Sequence, residues 1–266
     1  MIDAKQGITI KIFGGGINPP PPIPETPTID EAALDFNFEY GVTVTASDKD
    51  MGRISKWVDI KKGIVMRSYS EEIYKTPDGI KLPATMGIAL LSDIFDASVI
   101  NAKQNNISFA AVTKTKASPH DAPGIMYGVQ DNNSYASSSK GLTKVTASGV
   151  SVSCLIQPPQ SAPTQKGASV ATSYVNKNIV AVHTFGATLD DVKIFIDGAD
   201  VNAMVIHGDL TPFNTQACRV LCSGSYIPTQ HNTNQFIKRL LIYGKILTNT
   251  EIVALTTELR NIYPNT

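Results

Sequence analysis

Val192-Lys193-Ile194-Phe195-Ile196-Asp197-Gly198 is the stretch on which the reading of the fold turns. An apolar run of strand length ends in Asp-Gly, the dipeptide best suited to the two left-handed positions of a tight hairpin turn. Outward from it the chain repeats one theme, short strand-forming runs separated by Gly, Pro, Asn, Asp and Ser. Strands are predicted at 64–66, 107–113, 125–129, 150–156, 179–185, 192–196, 219–222 and 236–243. Leu34, Phe36, Phe38 and Tyr40 alternate with Asp35, Asn37 and Glu39, and the alternation resumes at Val42 and Val44. That predicts a half-buried strand bent or bulged at Gly41. So many short strands in one chain are the pattern of a sandwich or barrel.

Two segments break the pattern. Ile88, Leu91, Phe95 and Val99 stand at helical spacing, so a helix is predicted over 88–100. Thr248-Asn249-Thr250-Glu251 is a capping box, Ile252, Leu255, Leu259 and Ile262 form an apolar stripe behind it, and Pro264 ends the run. One short C-terminal helix packed on the outside of a β domain is expected.

Ahead of the domain stands a different kind of chain. Gly7-Ile8-Thr9-Ile10-Lys11-Ile12-Phe13 alternates apolar and polar residues as a one-faced strand does. Gly14-Gly15-Gly16 then reads as a hinge, and Pro19, Pro20, Pro21, Pro22, Pro24 and Pro27 as a semi-rigid polyproline spacer. Residues 1–27 are therefore read as an arm and 28–266 as the domain. The expected partner-binding residues of the arm are Ile8, Ile10, Ile12 and Phe13, with Pro19, Pro20, Pro21 and Pro22 lying along a neighbouring subunit.

Val192 to Gly198, then Phe236-Ile237-Lys238-Arg239-Leu240-Leu241-Ile242-Tyr243-Gly244-Lys245-Ile246-Leu247-Thr248, then Glu251-Ile252 resemble the end of concanavalin A-like, laminin G-like jelly rolls. There a strand with an Asn-Gly or Asp-Gly turn precedes a strand of the form G-x-I-x-x-h-x-I-Y-x-x-x-L, with h apolar, and a closing helix that begins Thr/Ser-x-x-Glu-Ile. Arg53-Ile54-Ser55-Lys56-Trp57-Val58-Asp59 is similar to the V-x-x-W-x-D of bacterial and phage members. The resemblance runs over roughly residues 30 to 264, and Gln235-Phe236 stands where the family has a glycine. It implies an all-β, antiparallel jelly-roll sandwich with one short C-terminal helix, of the kind carried on tailed-phage particles. It also implies gathering into a homo-oligomer within such an assembly. Family calcium sites use clustered Asp and Asn on loops; Asp131-Asn132-Asn133 and Asp190-Asp191 are the nearest candidates, and neither is a recognised ligand set.

Chemistry-bearing patterns are few. A retaining glycosidase on this fold needs facing carboxylates about 5 to 5.5 Å apart, as in Glu-x-Asp-x-Glu, whereas Glu71-Glu72 and Asp190-Asp191 are adjacent and would point to opposite faces of a strand. His120, His183, His207 and His231 lack metal-ligand spacing, and His183 sits inside an apolar run, as a core histidine would. No Gly-x-Ser-x-Gly occurs, and the Gly14–16 run lacks a phosphate-loop lysine. No enzyme activity, cofactor or metal is expected. For a sugar site the residue types in place are Tyr127, Asp131, Asn132, Tyr135, Tyr174, Tyr226 and Asn232, aromatics to stack on pyranose faces and polar groups for hydroxyls. Trp57, the single tryptophan, is read as core.

The charge balance points away from nucleic acid and anionic lipid. Lys+Arg and Asp+Glu are both 23, and charged residues are only 17% of the 266, so the surface is largely neutral polar and carries no strong field. Three cysteines, Cys154, Cys218 and Cys222, with no Cys-x-x-Cys, exclude a disulfide framework. Met1-Ile2-Asp3-Ala4-Lys5-Gln6 has no basic n-region with an apolar h-region, and no apolar run reaches membrane-spanning length, so synthesis without Sec export is expected. The expectation is a non-enzymatic virion structural protein, a capsid decoration or tail-attached surface protein, that joins other virion proteins through its arm and adheres to glycans. A free-standing carbohydrate-binding module is the alternative, and a glycoside hydrolase with acids brought together from distant strands is the third reading.

Overall fold

The computed structural model describes residues 29–48, 51–69, 73–82, 88–100, 106–116, 124–131, 138–146, 149–157, 164–172, 174–207, 217–223 and 235–265. Numbered along the chain, its strands run from β1 (Leu34–Asn37) to β19 (Gln235–Tyr243), and every pairing among them is antiparallel. One layer follows the order β1, β19, β9 (Ile107–Thr115), β14 (Asn178–Phe185), β15 (Lys193–Ile196) and β16 (Ala199–Asp200). The other runs β2 (Val42–Asp48), β3 (Met51–Val58), β4 (Val65–Ser68), β7 (Ile88–Ser92), β18 (Ala217–Ser223), β10 (Gly124–Asp131), β11 (Ser138–Thr146), β12 (Gly149–Gln157), β13 (Thr164–Val170) and β17 (Met204–His207). The β5 (Tyr74–Thr76) and β6 (Gly79–Lys81) hairpin joins the layers, β5 on β3 and β6 on β19, while β8 (Phe95–Asp96) pairs with the start of β18. This is the antiparallel sandwich that the sequence predicts.

The core lies between the layers. Trp57 is fully buried and meets Phe36 edge-on at 5.6 Å, and Phe109 meets Phe185 in the same way at 5.3 Å. The Asp197-Gly198 turn forms as expected: Asp197 (φ 53°) and Gly198 (φ 83°) are both left-handed, and Phe195 pairs with Asp200 and Ile196 with Ala199. Helix α1 (Asn249–Ile262) opens on the predicted capping box, the Thr248 hydroxyl accepting from the Glu251 amide and the Glu251 carboxylate from the Thr248 amide. Ile252, Leu255 and Leu259 are buried, whereas Ile262 is nearly half exposed and Tyr263 fills the end of the stripe in its place. Arg260 donates to the Asn178 carbonyl at 2.7 Å and pairs with Asp197, which staples the helix to the hairpin.

Two local expectations are corrected. Residues 88–100 are not a helix but β7, β8 and a 3-10 turn (Ala97–Ile100). β7 lies inside its sheet between β4 and β18, so Ala89, Leu90, Leu91 and Ser92 are buried whichever face they point to, and a run buried on both faces shows no two-residue period. Around Gly41 there is no bulged strand but a turn between β1 and β2. The Gly41 amide donates to the Asn37 carbonyl at 3.0 Å, and a Cβ there would stand 2.1 Å from the Val58 carbonyl oxygen. All four residues of β1 are buried, Asp35 and Asn37 included, because both faces of this edge strand are covered. The proposed arm, residues 1–27, lies outside the described residues, and the described chain begins at Ile29.

Candidate functional site

Where the arm would join the domain, the chain is gripped. The turn between β3 and β4 reverses at Gly63 (φ 72°) and carries Asp59 and Lys61 to the outer side of β1. There the Lys61 ammonium donates to three carbonyls of the incoming chain, those of Ile29 at 2.8 Å, Asp30 at 2.6 Å and Ala32 at 2.9 Å. The Ile29 amide in turn donates to the Glu258 carboxylate of α1 at 2.9 Å. One cation thus reinforces the short 3-10 turn (Ile29–Glu31), whose Ile29 carbonyl also accepts from the Ala32 amide at 3.2 Å. Lys245 ties the same corner together, pairing with Glu31 at 3.2 Å and Glu251 at 3.0 Å.

Beneath the grip lies a buried charge network. Asp59 accepts from the backbone amides of Asp35 and Lys62, and Asp35 is held by both guanidinium arms of Arg239, one at 2.9 Å. Burial raises the Asp59 carboxyl above its ordinary value, with the amide of Asp35 pulling the other way. Burial likewise lowers the Lys61 ammonium, opposed by the charges of Asp35 and Asp30. A cleft of about 490 Å³ opens beside this corner, with Asp30, Glu31, Lys61, Lys62, Tyr243 and Lys245 on its walls. A second, of about 460 Å³, lies between Lys166, Asp190, Lys193, Asp200 and Asn202. Both mix cations with carboxylates.

Of the sugar-site candidates, Tyr127, Asp131 and Tyr174 fall among the described residues. Tyr127 is fully buried, its hydroxyl hydrogen-bonded to His183 at 2.9 Å and to Thr143 at 3.2 Å, so the expectation of a solvent-facing ring there is corrected. Its ring points between the layers, edge-on to His183 of β14 at 5.5 Å. Asp131 ends β10 opposite Cys218, while Asn132, Tyr135, Tyr226 and Asn232 lie outside the described residues, as do Ile8, Ile10, Ile12, Phe13 and Pro19 to Pro22. Tyr174 is half-buried against the core. Asp191 is committed to the Thr188 cap, which takes its carboxylate from the loop-calcium reading.

The remaining candidates are core chemistry. His183 is fully buried as expected, and burial brings its imidazole down to about 3, so it is neutral. Cys218 and Cys222 are buried thiols outside any disulfide, and burial pushes the Cys222 thiol up to about 12. Among the described residues no group of three or more His, Cys, Asp or Glu could hold a metal ion. Asp35 and Asp59 are neighbouring acids, yet each is 1% exposed, the Asp59 carboxylate taken up by the Asp35 amide and the Asp35 carboxylate by Arg239, so neither faces a sugar. No helix among the described residues is long and apolar enough to cross a membrane.

Sequence reasoning missed the grip. Asp35 and Arg239 are 204 positions apart and Ile29 and Glu258 are 229 apart, and no local pattern links them. The one available signal was an aspartate inside an apolar run, at Asp35, and it reads as an outward polar position in any alternating strand.

Comparison with protein-family models and with curated proteins gives no match. Solved structures do share the architecture. The binding domain of botulinum neurotoxin DC in complex with rat synaptotagmin II superposes with a TM-score of 0.58 at 15% identity, over 88% of this chain and 52% of that one. A structure concerned with the dependence of botulinum neurotoxin type C cell entry on two ganglioside molecules gives 0.55 at 14%, over 87% and 52%. Trypanosoma rangeli sialidase in complex with sialic acid gives 0.54 at 11%, over 90% and 35%. These likenesses establish a large antiparallel β-sandwich of jelly-roll type. The chain spans about half the length of the neurotoxin domains and about a third of the sialidase, so what those proteins bind is not assigned to the shared part.

Proposed function

We propose that this chain is a non-enzymatic structural module of a virion surface, a capsid decoration or tail-attached protein. Its N-terminal arm holds it on a neighbouring subunit, and the sandwich is displayed outward. The observation that carries this reading is the grip on residues 29–32 by Lys61 and Glu258. A terminus that merely trailed into solvent would need no cation across three of its carbonyls. One that bears a neighbour's pull needs a fixed departure point. Deleting residues 1–27 is expected to abolish incorporation into particles while the domain stays folded. Normal occupancy by the truncated protein would refute the reading.

Glycan adhesion is a second activity, and the reason to test it is the fold shared with a ganglioside-dependent neurotoxin domain and a sialic acid-bound sialidase. We place it on the loops carrying Asp131, Asn132, Tyr135, Tyr226 and Asn232, with Tyr127 as core. A glycan array that includes sialylated and ganglioside-type sugars should give binding that Tyr135→Ala or Tyr226→Ala removes. Silence across the array leaves the structural role standing alone, and sugar release by the purified chain would turn the reading to a hydrolase.

A further inference from the structure

Each layer ends on two outermost strands among the described residues, and three of these four are defended. The outer side of β1 is covered by the β3–β4 turn, with Phe36 bridged to Asp59 and the Ile60 amide donating to the Asp35 carbonyl. β2 is broken by two register shifts against β3 and shows Thr43 and Thr45 on either side of Val44. β16 is two residues long and ends in Asp200. β17 is the exception. Among the described residues it pairs only with β13, and although that ladder also has one register shift, Met204, Val205 and Ile206 in succession are 75%, 48% and 49% exposed. Consecutive residues of a strand point to opposite faces, so both faces of this edge are wet and apolar, which invites another strand.

We infer that β17 receives the 7–13 segment of the N-terminal arm from a second copy of this chain, so that copies join head to tail by strand addition. The inference rests on the tethered-module reading and names the neighbour. The arm carries Ile8, Ile10 and Ile12 alternating with Thr9 and Lys11, the apolar period an added strand needs against such an edge. Donor and acceptor leave opposite sides of the molecule. The arm departs beside β1, whereas β17 starts four residues after β16, past a Val201 amide bonded to the Ile194 carbonyl, on the β15 side. Across β1, β19, β9, β14 and β15, four strand spacings of ~4.8 Å separate the two sides by about 19 Å. Residues 14–28, at about 3.1 Å each if extended, reach about 46 Å, enough to span to an adjoining copy. Since the same reach exceeds the distance of about 19 Å across one copy, a native chain that closes on itself and stays monomeric is the outcome that decides against the inference. An interface with different patches on its two sides closes into a ring or runs on as a filament.

Complementation tests the geometry. An arm variant (Ile8→Asp, Ile10→Asp, Ile12→Asp) keeps the acceptor edge, and an edge variant (Val205→Asp) keeps the donor arm. The full-length native chain should be oligomeric by light scattering and each variant monomeric, while an equimolar mixture of the two should give a dimer and nothing larger. If Val205→Asp loses its circular-dichroism signature, Met204→Lys, at the most exposed of the three positions, takes its place. A monomeric native chain, an arm variant that still self-associates, or a mixture that stays monomeric overturns the inference. If the native chain is monomeric yet enters particles only with its arm, this inference falls and the tethered-module reading stands. If oligomers form but particle occupancy ignores the arm, the reverse holds.

Discussion

Edges β1 and β17 bound the same sandwich and are finished in opposite ways. At β1 the backbone is met by a turn, the buried Asp35 is held by Arg239, and Lys61 gathers the carbonyls of the approaching chain. At β17 three apolar side chains face solvent and the outer side has no strand among the described residues. A buried ion pair is weak evidence for stability in itself, because desolvation offsets most of the attraction. What the β1 edge gains is closure, since no foreign strand can pair where a charged turn already sits. The β17 edge keeps the option that β1 has given up. The two ends of one sheet system therefore differ in purpose more than in strength.

The contrast breaks most readily at the closed edge. Arg239→Ala leaves the Asp35 carboxylate buried without its partner and is expected to lower the unfolding free energy by about 3–5 kcal/mol, read from the urea midpoint. A neutral result would mean that water already reaches this edge. The middle of the sandwich gives a pH reference for both edges. His183 has a folded value of about 3 against 6.5 when unfolded, so the unfolded chain takes up a proton first as pH falls. Stability should be complete above about pH 6.5 and decline toward about pH 3, by a few kcal/mol in all, and His183→Gln should flatten that slope.

Smaller effects sharpen the comparison. Gly41→Ala forces a methyl group against the Val58 carbonyl, and about 1–3 kcal/mol of destabilisation is expected in thermal melts. Lys61→Met removes the donor for three carbonyls while keeping the stem. A loss of about 2 kcal/mol is expected, together with faster proteolysis near residue 30 than elsewhere in the domain. At the open edge, Met204→Lys should change the melting free energy by no more than about 0.5 kcal/mol while altering self-association. If Met204→Lys destabilises as much as Lys61→Met, then β17 is structural and the distinction between the edges fails.

How much of this was legible depends on how local the cause was. The hairpin at Asp197-Gly198 and the capping box at Thr248 and Glu251 are set by dihedral demands and hydrogen bonds within four residues, and both could be read directly. Residues 88–100 could not, because burial on both faces erases the alternation that marks a strand and leaves a spacing that also suits a helix. Tyr127 illustrates the same limit at the candidate site. Its residue type suits a sugar, but its depth is decided by which face of β10 it takes and by His183 on the layer opposite, and its neighbours Asn132 and Tyr135 lie outside the described residues. The grip on the arm is the extreme case, for it joins Ile29 to a carboxylate in the last helix.

The Lys61 grip also has a mechanical side. Tension on the arm would enter the domain at Ile29, pass three carbonyls held by a single ammonium, and reach β1, whose ladder with β19 is continued by the Ala33 amide on the Ile242 carbonyl. β19 is the strand on which β1, β6 and β9 all lean, so a load taken there is shared by the middle of its layer instead of peeling a loose border. Rupture under force is governed by the unfolding rate rather than the equilibrium stability. A substitution at Lys61 should thus weaken the molecule far more in a pulling experiment than in a melting curve.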